Sequence, residues 1–341
     1  SRSIIIMGAI FSRLCMLTLP CMVQFAPIAP TSRGCARAIL LRSKPTKDAL
    51  VGKAAVVTGV TKGGSGFHVA QALALECGMA VFLCGRNPER VRDAARALVE
   101  EAEREGKPKP VLYQILMDLD DLTHVSQAAD DIAAILRRDY GGKLQILVNN
   151  AGALRAGTEV QMTKQGVEPN TGANYLAPFL LTRMLLPFLR KASGTTGVPP
   201  RIVNVSSLGH AAGTGYTPQA LLACPQKGGT PDTKGPIVED KKRDDGKLVW
   251  SLGGSVVLYA VSKNMQVSHC RAIAKRETSP RVHAVSCHPG SIASNFGQVL
   301  GVIGRIYYHW FGLLQYTPDQ GGATPVHCAL APEVGAEGGA G

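Results

Sequence analysis

The 341-residue chain is 45% hydrophobic and 18% charged, the balance of a globular protein with a sizeable core rather than a disordered one. Its formal charge is +12, but residues 1–47 hold seven Arg/Lys and no acid, which leaves about +5 for the remainder, and no basic stripe interleaved with aromatics runs through it. That distribution argues against a nucleic-acid groove, and nine irregularly spaced cysteines without a CxxC pair argue against a zinc site or disulfide framework and for buried thiols in a reducing compartment.

Residues 1–47 are Arg-bearing, acid-free and apolar over their first thirty positions. Three readings stay open for them. Their composition suits an organellar transit peptide. Leu14 to Pro30 suits a short membrane anchor, although Pro20, Gln24 and Pro27 interrupt it. If translation starts at Met7, "MGAIFS" offers Gly8 for N-myristoylation, with Ser12 at the favoured place. In each reading this stretch is a leader outside the fold and associates the chain with a membrane or organelle.

From Lys53 onward, strand and helix patterns alternate. "AAVVT" (54–58) is an apolar run suited to a strand buried on both faces, and a helix pattern follows over 66–76. Strand patterns at 79–85, 111–119, 144–152, 201–207 and 281–290 alternate with helix patterns at 88–105, 122–138, 165–191 and 256–276. Such an order predicts an α/β fold, a doubly wound parallel sheet of Rossmann type, as one domain over 48–332. Gly209 to Leu252 is rich in Gly, Pro, Lys and Asp and reads as a long surface insertion; residues 333–341 are a Gly-rich tail. The polar clusters TGVTKGGSG, CGRN, MDLDD, NNAG, VSS and CHPG all close a strand, where ligands of such sheets bind.

A Gly-rich turn between strand and helix offers backbone N–H groups and a helix N-terminus to an anion. "YAVSK" sets Tyr259 and Lys263 on one helix face, where an ammonium beside a phenol would lower the phenol's pKa toward the working range of proton transfer. After strand two, "CGRN" carries Arg86 and no acid, and Lys62 adds a cation in the Gly-rich turn, which favours the 2′-phosphate of NADP(H) over a bare ribose.

The ordered set TG-x4-G-x-G, NNAG, a helix Asn, VSS, YxxxK and HPG resembles the short-chain dehydrogenase/reductase family from about Lys53 to Pro332. "RIVNVSSLGH", "ANYLAPFLLT", "CHPGSIASN" and "TPDQGGATPVHCALAPEV" are similar to its retinol dehydrogenase-like branch. The resemblance implies that Tyr259 is the general acid/base, Lys263 tunes it and holds the nicotinamide ribose, Ser207 donates to the reacting oxygen, and Asn174 supports a proton-relaying water. It further implies cofactor contacts from Gly59, Gly64 and Gly66, from Asp118 and Leu119 on the adenine side, from Asn150, Ala151 and Gly152 beside the ribose, and from Pro289, Gly290, Ile292 and Ser294 near the nicotinamide. No metal is implied, and pairing of two copies along the Tyr259 helix is.

Three departures stand out. The Gly-rich turn has one residue more than is usual between its first two glycines, which Lys62 and Gly63 are expected to absorb. About fifty residues separate Ser207 from Tyr259, and no last strand is recognisable before the tail. The expected function is NADP-dependent interconversion of a carbonyl and an alcohol on a small apolar substrate of the retinoid, steroid or lipid-aldehyde class, suggested by the apolar stretch 299–314. A non-catalytic nucleotide-binding scaffold and an NAD-linked alcohol dehydrogenase stay open as alternatives.

Overall fold

A computed structural model describes residues 29–42, 48–155, 162–194, 198–213, 241–242, 248–249, 252–278, 282–292 and 315–334. The N-terminal 28 residues, Ser294, the core of the long insertion (214–240), the whole apolar stretch 299–314 and the end of the tail lie outside the described residues. Among the described residues no helix is long and apolar enough to cross a membrane, and no group of three His, Cys, Asp or Glu is placed to hold a metal.

Six parallel strands form the central sheet in the order β3 (Leu112–Leu116), β2 (Ala80–Gly85), β1 (Ala54–Thr58), β4 (Ile146–Asn149), β5 (Arg201–Val205) and β8 (His283–Cys287). Between β5 and β8 in sequence, β6 (Lys241–Lys242) and β7 (Leu248–Val249) pair antiparallel to each other away from this sheet. The register sets Thr58 opposite Cys84, Val57 opposite Val148 and Val205 opposite Cys287, so the polar clusters that close the strands emerge along one edge. Strand order reverses between β1 and β4, and in such sheets the ligand cleft lies at that point. β3 and β4 stop short of their sequence-predicted ends because side chains capture the backbone beyond them. The Asp120 amide donates to Asp118 Oδ1 at 3.1 Å, and the Ala151 amide to Thr58 Oγ1 at 3.0 Å.

Helices cover both faces. On one side α2 (Ser65–Leu75), α3 (Pro88–Arg104) and α7 (Pro318–Leu330) enclose a core that includes Leu73, Leu98 and Val326. On the other, α4 (Leu122–Asp139) and α5 (Ala177–Ala192) supply Ile132, Leu136, Leu181 and Leu185. The long helix α6 (Leu252–Arg276) packs against β5 and β8 and carries the YxxxK pair. α3 starts where the Asn87 side chain accepts from the Arg90 amide at 3.0 Å with Pro88 at its first turn, and a capping box between Thr317 and Gln320 starts α7. Cys77, Cys84, Cys270, Cys287 and Cys328 are buried and, among the described residues, form no disulfide.

One part of the stretch read as a leader outside the fold does not behave as one. Ser32–Arg42 forms a helix, α1, that buries Ser32, Ala36, Ile39 and Leu40 against α2 and α7. Arg33 fastens it from below, donating to Glu101 at 2.7 Å and to both oxygens of Glu105 at 2.7 and 2.6 Å, and pairing with Glu76. Arg37 at 3.0 Å and Lys107 at 2.9 Å also reach Glu76. Burial alone would raise the pKa of Glu76, but hydrogen bonds from Arg37, Lys107 and Arg33 outweigh it and hold the carboxyl at about 2. Stability from a depressed carboxylate is present above its ordinary value of 4.5 and fades as pH falls toward 2. Arg33→Ala is therefore expected to cost about 2 kcal/mol at neutral pH, since it removes the cation that joins Glu76, Glu101 and Glu105 and leaves Glu76 to Arg37 and Lys107. In urea titrations, its deficit against the unaltered chain should narrow as pH falls through that window.

Candidate active site

The turn that closes β1 shows why glycine is needed in it. Gly59 has φ +73°, and a Cβ there would meet the Ala151 Cα at 2.8 Å, so the Gly-rich turn and the NNAG turn touch backbone to backbone. Asn150 ties the same two turns together: its Nδ2 donates to the Thr58 carbonyl at 3.0 Å, and its Oδ1 accepts from Ser65 Oγ at 3.0 Å. The extra residue is absorbed in a tight turn in which the Gly64 amide donates to the Thr61 carbonyl at 2.8 Å and Gly63 takes φ +77°. α2 then begins after Gly64 with no side chain capping it, leaving its positive end facing the cleft.

Beside this turn, at the end of β2, lies a cavity of about 180 Å³ lined by Val60, Thr61, Gly85, Arg86, Asn87, Arg90 and Val91. Arg86 is there as the sequence predicts, whereas Lys62 is exposed and does not line it. Arg90, in the first turn of α3, was missed; it lines the cavity beside Arg86, which precedes the helix. The reading that no acid accompanies Arg86 holds along β2 but not in space. Asp120, from the loop after β3, lies 3.4 Å from Arg86 Nη1 and 2.7 Å from Arg155 Nη2. Asp118 and Leu119 open that same loop, where Asp118 takes the Asp120 amide and its own amide donates to His124 Nδ1 at 3.3 Å.

On the other side of the cleft the sheet brings VSS and YxxxK together. Ser207 follows β5, Tyr259 and Lys263 project from α6, and the Ser207 hydroxyl hydrogen-bonds the Tyr259 phenol. The Gly209 amide donates to Ser207 Oγ at 3.1 Å, which turns the serine proton outward. Lys263 Nζ lies 5.7 Å from the Tyr259 ring centre and packs on Gly152, where a Cβ would come within 2.8 Å of it. The last NNAG position, the second after the paired asparagines, thus leaves room for the lysine tip. Asn174 sits on a π turn (Gly172–Leu176) ahead of α5, fully buried. Its Oδ1 accepts from the Ala153 amide at 3.0 Å, and its Nδ2 donates to the Ala153 carbonyl at 2.9 Å and to Ser262 Oγ at 3.1 Å. The side chain thus anchors the NNAG loop to α6, with both amide hydrogens engaged.

Burial, more than the nearby ammonium of Lys263, sets the titration of the phenol in the resting site. Burial pushes Tyr259 up to about 12, offset only in part by the Ser207 hydrogen bond. Lys263 is itself driven down to about 8 by burial, and its Nζ donates to the Val205 carbonyl at 2.8 Å instead of approaching the phenol. An ammonium whose folded pKa lies below its ordinary 10.5 destabilises the fold fully below pH 8 and less and less up to 10.5. Lys263→Met is expected to raise the melting temperature at pH 7, and the gain should fade between pH 8 and pH 10.5, as thermal melts across that range would show.

Pro289, Gly290 and Ile292 complete the rim after β8. Gly290 has φ +85°, a Cβ on it would run into the Tyr316 ring, and the Tyr316 amide donates to the Ser291 carbonyl at 2.8 Å. His288, which sequence reasoning passed over, accepts from the Leu208 amide at 3.1 Å through Nδ1 and so ties this loop to the one bearing Ser207. Burial, with His210 nearby, lowers His288 to about 4, keeping the ring neutral and able to accept.

A family model described as short chain dehydrogenase matches residues 53–218. An uncharacterized oxidoreductase of Schizosaccharomyces pombe is 32% identical over 295 residues, covering 84% of this chain and 75% of that protein. Retinol dehydrogenase 11 of mouse is 28% identical over 281 residues, covering 82% and 74%. Among solved structures, a short chain dehydrogenase from Burkholderia cenocepacia in complex with NADP superposes with a TM-score of 0.55 at 23% identity, over 85% of this chain and 95% of that one.

Proposed function

The chain belongs to the short-chain dehydrogenase/reductase family, and on that footing we propose that it is an NADP-dependent oxidoreductase interconverting a carbonyl and an alcohol on an apolar substrate of the retinoid, steroid or lipid-aldehyde class. The observation that carries this reading is the meeting of Ser207, Tyr259 and Lys263 at the strand edge where the Gly-rich turn also opens. A scaffold would need no such group of a phenol, a hydroxyl and a buried amine.

The residues present fit a dinucleotide. An uncapped helix N-terminus and side-chain-free positions at Gly59, Gly64 and Gly66 suit a pyrophosphate, and the neighbouring cavity offers the guanidinium groups of Arg86 and Arg90 to a 2′-phosphate. Asp118 and Leu119 would border the adenine, Asn150, Ala151 and Gly152 the ribose, and Pro289, Gly290, Ile292 and Ser294 the nicotinamide. When bound, the nicotinamide would supply a hydride to the carbonyl carbon or take one from the carbinol.

Within that frame the chain's own groups handle the proton. Tyr259, with its pKa at about 12, is protonated at neutral pH and can donate to a carbonyl oxygen as it gains charge. Ser207, its oxygen already accepting from Gly209, can turn its proton to the same substrate oxygen and stabilise the developing alkoxide. Lys263 supplies positive charge beneath the phenol and a donor for ribose hydroxyls, and Asn174 acts by positioning the loop and helix between which they lie. Similarity to a retinol dehydrogenase supports the apolar substrate. Membrane association through the N-terminal residues and pairing of two copies along α6 belong to the same reading.

The test is NADPH consumption by the full chain with all-trans-retinal, decanal and a 3-ketosteroid, with cofactor titration alongside. Turnover of at least one carbonyl is expected. Folded protein that binds NADPH and reduces none of them would favour the scaffold instead.

A further inference from the structure

Lys263 is the most deeply buried charged group of the site, at 3% exposure, and what holds its tip is neutral. Besides the Val205 carbonyl, Nζ donates to Gln266 Oε1 at 3.1 Å, one turn further along α6. Gln266 is 1% exposed, and its main-chain carbonyl accepts from Asn204 Nδ2 at 3.3 Å. Asn204 Oδ1 in turn accepts from Asn149 Nδ2 at 2.8 Å, and Asn149 also donates to Thr182 Oγ1 at 3.1 Å. A line of uncharged polar groups therefore crosses the sheet from α5 through β4 and β5 and ends at the lysine.

The glutamine holds this post at a cost. Its Nε2 is buried and has no partner among the described residues, and rotating the amide to find one would set N–H against the ammonium. An apolar residue of the same length would fill the space without an orphaned donor. The chain thus keeps an arrangement that stability alone disfavours, and what it gains is an acceptor aimed at Nζ.

We propose that Gln266 is a positioning residue for Lys263: with the Val205 carbonyl it fixes the ammonium against Gly152, under the phenol of Tyr259, and keeps its charge in place during proton transfer. The proposal rests on the roles assigned to Tyr259 and Lys263 above. The titratable groups facing the ammonium are that phenol on the same helix and the Cys287 thiol on β8; among the described residues no carboxylate pairs with it.

The variants that test this are Gln266→Met, which keeps the length and loses the acceptor, and Gln266→Glu, which keeps both, each made in the full chain. The measurement is the pH profile of kcat for alcohol oxidation with NADP⁺, using the alcohol of whichever panel carbonyl the unaltered chain reduces fastest. A poorly held ammonium stabilises phenolate less, so in Gln266→Met the acidic limb should move up by about one pH unit and kcat fall about tenfold, with thermal stability unchanged or raised because the orphaned N–H is gone. Gln266→Glu should bring the limb back below that of the Met variant. A limb that stays put in a folded Gln266→Met enzyme, or a loss of kcat that merely follows lost stability, overturns the proposal. Absence of turnover in the unaltered chain, by contrast, removes the reaction itself and the proposal with it.

Discussion

Tyr259→Phe is expected to cut turnover about a thousandfold while leaving NADPH affinity within a few fold of the unaltered chain. The phenol is the proton donor that hydrogen-bonds Ser207 at the strand edge, and burial there holds it in the protonated form. The ring itself would be kept by phenylalanine, so packing against Gly209 and Lys263 changes little. Single-turnover kinetics together with a fluorescence titration of NADPH separate the two quantities. Equal loss of binding and turnover would mean that the ring supports the cofactor and does not move the proton.

Arg86→Asp should raise the KM for NADPH by roughly 10- to 100-fold, the worth of one or two charge-assisted hydrogen bonds, and make NADH the better reductant. Asp120 does not prevent this. It binds Arg155 at 2.7 Å and Arg86 only at 3.4 Å, and the Arg86 side chain is 62% exposed, free to swing to a phosphate over the cavity. The new carboxylate would repel that phosphate and accept from a free ribose hydroxyl in its place. Steady-state KM values for both coenzymes decide it; an unchanged ratio would leave Arg90 as the residue that matters.

The strands of the sheet could be read from the chain because the central ones, β1, β2 and β4, are largely apolar runs that two-sided burial explains, and because the strands end in polar clusters of their own kind. What could not be read depended on distance along the chain. α1 was taken for part of a leader since Ala36, Ile39 and Leu40 look like the rest of an apolar, acid-free stretch; only the carboxylates of Glu76, Glu101 and Glu105, far away in sequence, reveal why Arg33 is there. Asp120 reaches Arg86 across the β3 edge for the same reason. Within the site, Tyr259, Lys263, Ser207 and Gly152 come together as their motifs imply, whereas the direction of the Lys263 side chain, its hold by Gln266, and the partners of the Asn174 amide follow from packing that no local pattern encodes. The rise of the Tyr259 pKa in the resting site was not legible either, because a helix spacing shows proximity and not burial.

The most direct test is to follow the label when the full chain reduces one of the panel carbonyls with NADPH deuterated at C4 of the nicotinamide. Deuterium on the carbinol carbon of the product, lost together with turnover in Tyr259→Phe, is the predicted result. Product formed without label from either face of the ring, or labelled product at an undiminished rate in Tyr259→Phe, would contradict a hydride transfer completed by that phenol.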